Sequence, residues 1–117
     1  MLSAQEYQAL VAERMSEDQL QRAVVRVARE QGWLVYHTYD SRRSVAGFPD
    51  LVLVHAAHGA GRLLFRELKT VKGRVSAAQR VWLAKLAAAG ADVAVWRPAD
   101  LLGGVVVADL VRPVGAP

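Results

Sequence analysis

Two carboxylates and a lysine stand out by type and spacing. Asp50 follows Gly47-Phe48-Pro49, and Glu67-Leu68-Lys69 closes the next apolar run. Between them lie an apolar run from Leu51 to Val54 and a small-residue bend from His55 to Gly61, whose glycines supply turn chemistry. Two strand-like runs joined this way predict an antiparallel hairpin. With the bend centred between His58 and Gly59, Asp50 faces Glu67. Opposed residues in such a ladder have Cβ atoms roughly 4.5–5.5 Å apart, and like charges so placed are destabilising. A divalent cation would relieve the repulsion, because carboxylate oxygens are the ligands that hard ions such as Mg²⁺ take, with water completing an octahedron. Alternation along the strand sets Phe65, Glu67 and Lys69 on one face, so two acids and a lysine converge. Pro49 has no amide hydrogen to give and belongs at a strand's first residues, which places Asp50 at the beginning. The competing reading is a surface salt bridge, since Glu and Lys are common residues. The pairing of Pro-Asp with Glu-x-Lys across a single bend favours a metal site.

The remaining elements must hold that hairpin in place. Ser3 with Glu6 predicts a capping box, and Tyr7, Leu10, Val11 and Met15 give a helical stripe that packs on the core or forms a subunit contact. Ser16 with Gln19 is a second capping box, after which Leu20, Val24, Val27 and Ala28 trace a buried face until Gly32 ends the helix. Glu17 extends that buried stripe at its leading end instead of facing water, where it either complements the helix dipole or reaches a metal site. Arg22, Arg26 and Arg29 form a basic row on the outer face, read equally as a solvated face or as a stripe that tracks phosphates.

Trp33 to Tyr39 is rich in strand formers and predicts the first strand. The polar loop after it carries Ser41, Arg42, Arg43 and Ser44, a set suited to hold a phosphodiester, against the plainer reading of a charged loop. His37 reads as a packing residue and not as a ligand. Beyond the hairpin, Lys72 and Arg74 lie in a short basic connection. A helix is then predicted from Ser76 as cap to Gly90, with Trp82, Leu83, Leu86 and Ala89 inward, and Gln79 fits both the cap and the face toward the sheet. Asp92 to Trp96 reads as a fourth strand, Pro98 to Leu102 as a turn or short helix, and Val105 to Leu110 as a possible edge strand.

A chain of 117 residues, 53% hydrophobic, is expected to form one domain spanning 1–117, with its core at about 16–97 and an N-terminal helix at 1–15. No apolar run approaches the ~20 residues of a membrane span, and the N-terminus lacks a signal-peptide pattern. With no cysteine there is neither a disulfide framework nor a thiolate zinc site, which suits a cytoplasmic protein. The net charge of +4, carried mostly by arginine, favours a polyanionic partner.

The order helix, strand, hairpin, helix, strand, with Pro49-Asp50 and Glu67-Leu68-Lys69 on the hairpin, resembles the PD-(D/E)xK nuclease superfamily. Within it the chain is similar to a stand-alone VRR-NUC domain of the kind found in phages and bacteria. The matching residues are Glu17, Arg43 ahead of Gly47-x-Pro49-Asp50, Glu67-x-Lys69, and Gly73-x-x-Ser76-x-x-Gln79 leading into a helix that contains Trp82. The match covers about Ser16 to Trp96. It implies an α/β, restriction-endonuclease-like core: a central mixed sheet of about four to five strands flanked by helices. It further implies that Asp50, Glu67 and the backbone carbonyl of Leu68 bind Mg²⁺ or Mn²⁺, that Lys69 orients or activates the attacking water, and that Glu17 and Gln79 complete the catalytic site. Arg66 departs from the family pattern, which has an apolar residue before the acid. It faces away from Glu67 and so bears on packing behind the strand more than on chemistry.

The activity implied is a metal-dependent endonuclease on DNA, with Ser41, Arg42, Arg43, Ser44, Lys72 and Arg74 as DNA contacts. Family members of this size resemble Holliday junction resolvases and act as homodimers, which implies branched DNA as substrate. The alternatives are a nicking or restriction-like nuclease on linear duplex and a catalytically silent DNA-binding module.

Overall fold

Three helices begin on the same device. The hydroxyls of Ser3, Ser16 and Ser76 accept the amides of Glu6, Gln19 and Gln79, whose side chains return the bond, so α1 (Ala4–Arg14), α2 (Glu17–Glu30) and α3 (Ala77–Ala88) each start on a full capping box. The expected caps are all present. α2 ends where Gly32 takes φ 87°, a left-handed conformation that side chains disfavour. The computed structural model describes residues 1–38, 45–56 and 61–111.

Among these residues β1 (Leu34–His37), β2 (Leu51–His55), β3 (Arg62–Leu68) and β4 (Asp92–Trp96) form one sheet in the order β1-β2-β3-β4. The first two pairings are antiparallel and β3–β4 is parallel, which makes the sheet mixed. The β2–β3 register runs from Leu51↔Arg66 to His55↔Arg62, the register expected from a bend at His58–Gly59. The bend itself lies outside the described residues, as do Tyr39 and the Ser41–Ser44 loop.

One face of the sheet carries the core. Leu51 and Leu53 of β2, Leu64 and Leu68 of β3 and Trp96 of β4 pack with Leu20, Val24, Val25 and Ala28 of α2. Val25 takes the fully buried place expected of Val27, which packs at the margin. α4 (Pro98–Leu102) resolves the turn or short helix in favour of the helix.

The possible edge strand at Val105–Leu110 is instead helix α5 (Val105–Val111), so the sheet has four strands. Val106 and Leu110, four residues apart, are both buried, and the Leu110 carbonyl accepts from Trp33 Nε1 at 3.2 Å. Three consecutive valines favour a strand locally, but packing a helical i,i+4 pair into the core overrides that preference.

The opposite face is only partly covered. Alternation turns Phe65 away from Leu64, and its ring meets Phe48, which in turn meets Trp82 of α3 edge-on at 5.1 Å between centroids. α3 buries none of its residues fully: Trp82, Leu83 and Leu86 are half-buried, and Ala89, expected inward, is exposed. Further along this face, Leu34, Val54 and Leu63 sit side by side on three strands and all stay exposed.

Behind β3, Arg66 is buried in an ion cluster. Its guanidinium meets Asp92 at 2.9 Å and Asp109 at 3.8 Å and lies 4.8 Å from the Trp96 ring centroid. Arg62 joins the cluster through Asp92. The residue that departs from the family pattern is therefore accommodated by acids from β4 and α5.

Candidate active site

The segment before β2 is shaped by Gly47. It has φ 91°, and a Cβ there would fall 2.4–2.8 Å from the backbone of Ala78 and Gln79. Only glycine lets this segment lie against the first turn of α3. Pro49 is fully buried, and Asp50 follows at the mouth of β2.

Asp50 is then fixed from two sides. Its carbonyl accepts from Thr38 N–H at 3.2 Å, and its Oδ2 accepts from Leu68 N–H at 2.8 Å. The register places Glu67 opposite, one step beyond the Leu51↔Arg66 pair. Glu67 is 1% exposed, and neither of its carboxylate oxygens meets a donor at full hydrogen-bond geometry, although the Asp50 carboxyl lies within proton-sharing reach. Burial first, then contact with the Asp50 carboxylate and its charge, push the Glu67 carboxyl up to about 9, while the positive charge of Lys69 works against the shift. Two anions of this kind are held together only by a shared proton or by a cation.

Glu17 completes the acidic side of the site. Much of its side chain meets solvent, contrary to the expectation that it faces away from water. Its carboxyl nevertheless titrates above the ordinary value, because of partial burial and then the charge of Asp50, with Lys69 opposing. The first turn of α2 thus shares one electrostatic neighbourhood with the two strands.

Lys69 is positioned by a tight turn. Its N–H donates to the Trp96 carbonyl at 3.1 Å, and its side chain passes close to Gly73, where a Cβ would lie 3.0 Å from Thr70 Oγ1 and 3.4 Å from Lys69 Cδ. Arg97 clamps that turn: Nη1 donates to the carbonyls of Thr70 at 2.7 Å and Gly73 at 2.8 Å. Sequence reasoning missed Arg97, since its partners are carbonyls more than twenty residues away and no local pattern marks them.

Glu17, Asp50, Glu67 and Lys69 are therefore brought together. Gln79 uses its Oε1 to accept from Ser76 N–H at 2.8 Å, so its side-chain oxygen serves the α3 cap beside Gly47. Lys72 and Arg74 are exposed on the connection just after Lys69. Ser41, Arg42, Arg43 and Ser44 lie outside the described residues. His37 is half-buried, 3.4 Å from Gln21 Nε2.

The donor set suits a small hard cation. Among the described residues no three acidic or histidine side chains form a ready-made cage. Mg²⁺ does not need one: it is commonly held by one or two carboxylates, with waters and substrate phosphate filling the other positions. The unpartnered oxygens of Glu67 beside Asp50 meet that requirement.

The family model for the VRR-NUC domain matches residues 2–100. A solved structure described as a VRR_NUC domain aligns with a TM-score of 0.60 at 22% identity, covering 76% of this chain and 92% of that one. That likeness identifies the four-stranded mixed sheet with its flanking helices as the restriction-endonuclease-like α/β fold. Comparison with proteins of curated function returns no match. No helix among the described residues is long and apolar enough to cross a membrane.

Proposed function

Because the chain belongs to the VRR-NUC family of nucleases, we propose that it is a Mg²⁺- or Mn²⁺-dependent endonuclease that hydrolyses phosphodiester bonds in DNA, with branched DNA as its preferred substrate. The observation that carries the metal is Glu67, buried beside Asp50 with both carboxylate oxygens unpartnered. Asp50 and Glu67 would hold the ion, with the Leu68 carbonyl and water beside them. A bound divalent ion lowers the pKa of water and stabilises charge on phosphoryl oxygens.

The chain's own groups have distinct tasks. The Leu68 amide holds one oxygen of Asp50 and so aims the other. The Lys69 ammonium, beside the carboxylates, orients the attacking water and offsets negative charge as it develops on the phosphate. Glu17 faces the same region from α2 and supplies a further acceptor for water. Gln79 keeps α3 against Gly47 and thereby keeps Asp50 at its post. No covalent nucleophile is required.

A homodimer making two symmetric incisions suits a four-way junction. The exposed apolar row Leu34, Val54 and Leu63, with Tyr36 beside it, supports self-association. The test is a substrate panel of four-way junctions, flaps and plain duplex, with Mg²⁺ or Mn²⁺ and with chelator. Junction cleavage that stops on chelation is expected. Equal cutting of plain duplex would instead assign a restriction-like activity, and activity in chelator would remove the metal from the reading.

A further inference from the structure

The arginine row on α2 has no task in the reaction centre. Arg22, Arg26 and Arg29 are spaced i, i+4 and i+7, on one face of the helix. They line a groove of about 650 Å³ whose other wall is the end of β1, at His37 and Thr38, with Gln21 reaching across to His37. One wall of the groove, at Thr38, is tied to the reaction centre. Thr38 N–H is bonded to the Asp50 carbonyl, and Glu17, in the first turn of the same helix, feels the charges of Asp50 and Lys69.

The arginines are available to a polyanion. Arg22 pairs with Asp18 at 3.0 Å and Arg26 with Glu30 at 3.9 Å, each four residues apart on the helix, with all four side chains at least 66% exposed. Ion pairs this exposed are weak and exchange readily for phosphate, which a guanidinium grips with two parallel hydrogen bonds. From Glu17 to Arg29 the helix advances about 18 Å at 1.5 Å per residue, or about five nucleotides of one strand at 3.4 Å each.

We propose that the groove between α2 and β1 carries the phosphate backbone of one substrate arm, within about five nucleotides of the scissile bond, with Arg22, Arg26 and Arg29 as its contacts. The proposal rests on the nuclease reading and adds the direction in which the arm leaves the centre.

The test compares two triple variants of the full chain that remove equal charge. One is Arg22→Ala/Arg26→Ala/Arg29→Ala. The other, Arg14→Ala/Arg80→Ala/Lys85→Ala, takes the charge from α1 and α3. Affinity for labelled DNA is measured in chelator over a range of NaCl concentrations. The α2 triple is expected to bind about tenfold weaker or worse near 100 mM salt, with a log–log salt slope shallower by about 2.7, since each phosphate contact contributes about 0.9. The other triple keeps the parent slope. In cleavage, the α2 triple raises KM and leaves kcat unchanged on arms longer than about five nucleotides, and its gap to the parent narrows stepwise as the arm is trimmed and closes below about two nucleotides.

Equal losses in both triples, or an α2 triple with the parent's slope, would overturn the groove. Arg26→Glu, a single exposed change, repeats the binding measurement if the triple unfolds, and parental affinity there would overturn it equally. A parent protein that binds DNA but cuts none with either metal ion would sink the nuclease reading alone, because the groove is judged on binding.

Discussion

Arg66 and Glu67 are chain neighbours, almost equally hidden from solvent, and opposite in circumstance. Removing an ion from water costs several kcal/mol unless partners compensate. Arg66 has them: Asp92 and Asp109, the carbonyls of Phe65 and Asp92, and the face of Trp96. Only its Nε lacks an acceptor. Glu67, on the other face of the same strand, has two unpartnered oxygens and a second carboxylate as its neighbour. A buried charge answered from within belongs to the architecture, whereas one left unanswered needs something brought from outside. The contrast between the two faces separates what this sheet does for stability from what it does for chemistry.

The contrast is broken first at its chemical side. Lys69→Ala is expected to slow cleavage by about 10²–10³-fold, the usual contribution of a positioned donor that stabilises developing charge, while DNA affinity measured in chelator stays near the parent's. Parallel loss of affinity would make Lys69 a phosphate contact and nothing more.

Breaking the other side should cost stability and spare the chemistry. Arg66→Ala removes the cation that Asp92 and Asp109 share, while Arg62 still pairs with Asp92 and both acids reach solvent, and it is expected to destabilise the fold by about 1.5–3 kcal/mol, the range for hydrogen bonds to charged groups. Denaturant unfolding measures it, and a change below about 1 kcal/mol would mean that solvent already shares the cluster.

The contrast predicts opposite signs for changes on the two faces. In metal-free protein at neutral pH, Glu67→Gln replaces a buried carboxyl that folding forces to take up a proton and should stabilise the fold by about 1 kcal/mol, a melting rise of about 4–8 °C for a domain near this size. The same variant should lose the melting increase that Mg²⁺ gives the parent. A lower metal-free melting temperature would contradict the reading of Glu67 as an unanswered charge.

The pH slope isolates the same carboxylate. With the folded pKa of Glu67 raised from 4.5 to about 9, the unfolded chain releases this proton first as pH rises. The contribution is therefore full below about 4.5 and is lost progressively up to about 9. Metal-free parent should melt lower at each step from pH 5 to 9, and the part of that trend absent from Glu67→Gln is the carboxylate's share. Identical trends in the two proteins would assign the slope to other groups.

Much of this arrangement was legible in the sequence because its causes are local. The hairpin register follows from two apolar runs and the centre of one bend, and all three capping boxes are written within four residues each. Long-range causes were not legible. Val105–Val111 reads as strand from its valines, and only the core waiting for Val106 and Leu110 makes it a helix. Arg66 departs from the pattern until Asp92 and Asp109 arrive from elements remote in the chain. The capping pattern sets Glu17 on the first turn of α2, but spacing does not reveal that it stays wet while feeling the charge of Asp50.

The alternation of β3 ties these matters together in a way that bears on how the chain can change. A strand reverses every side chain when it slips by one position. Deleting a single residue ahead of Phe65 would swing a guanidinium toward Asp50 and thrust a carboxylate at Asp92 and Asp109. Scaffold and reactivity would fail in one stroke, so tolerated length variation is confined to segments outside this ribbon.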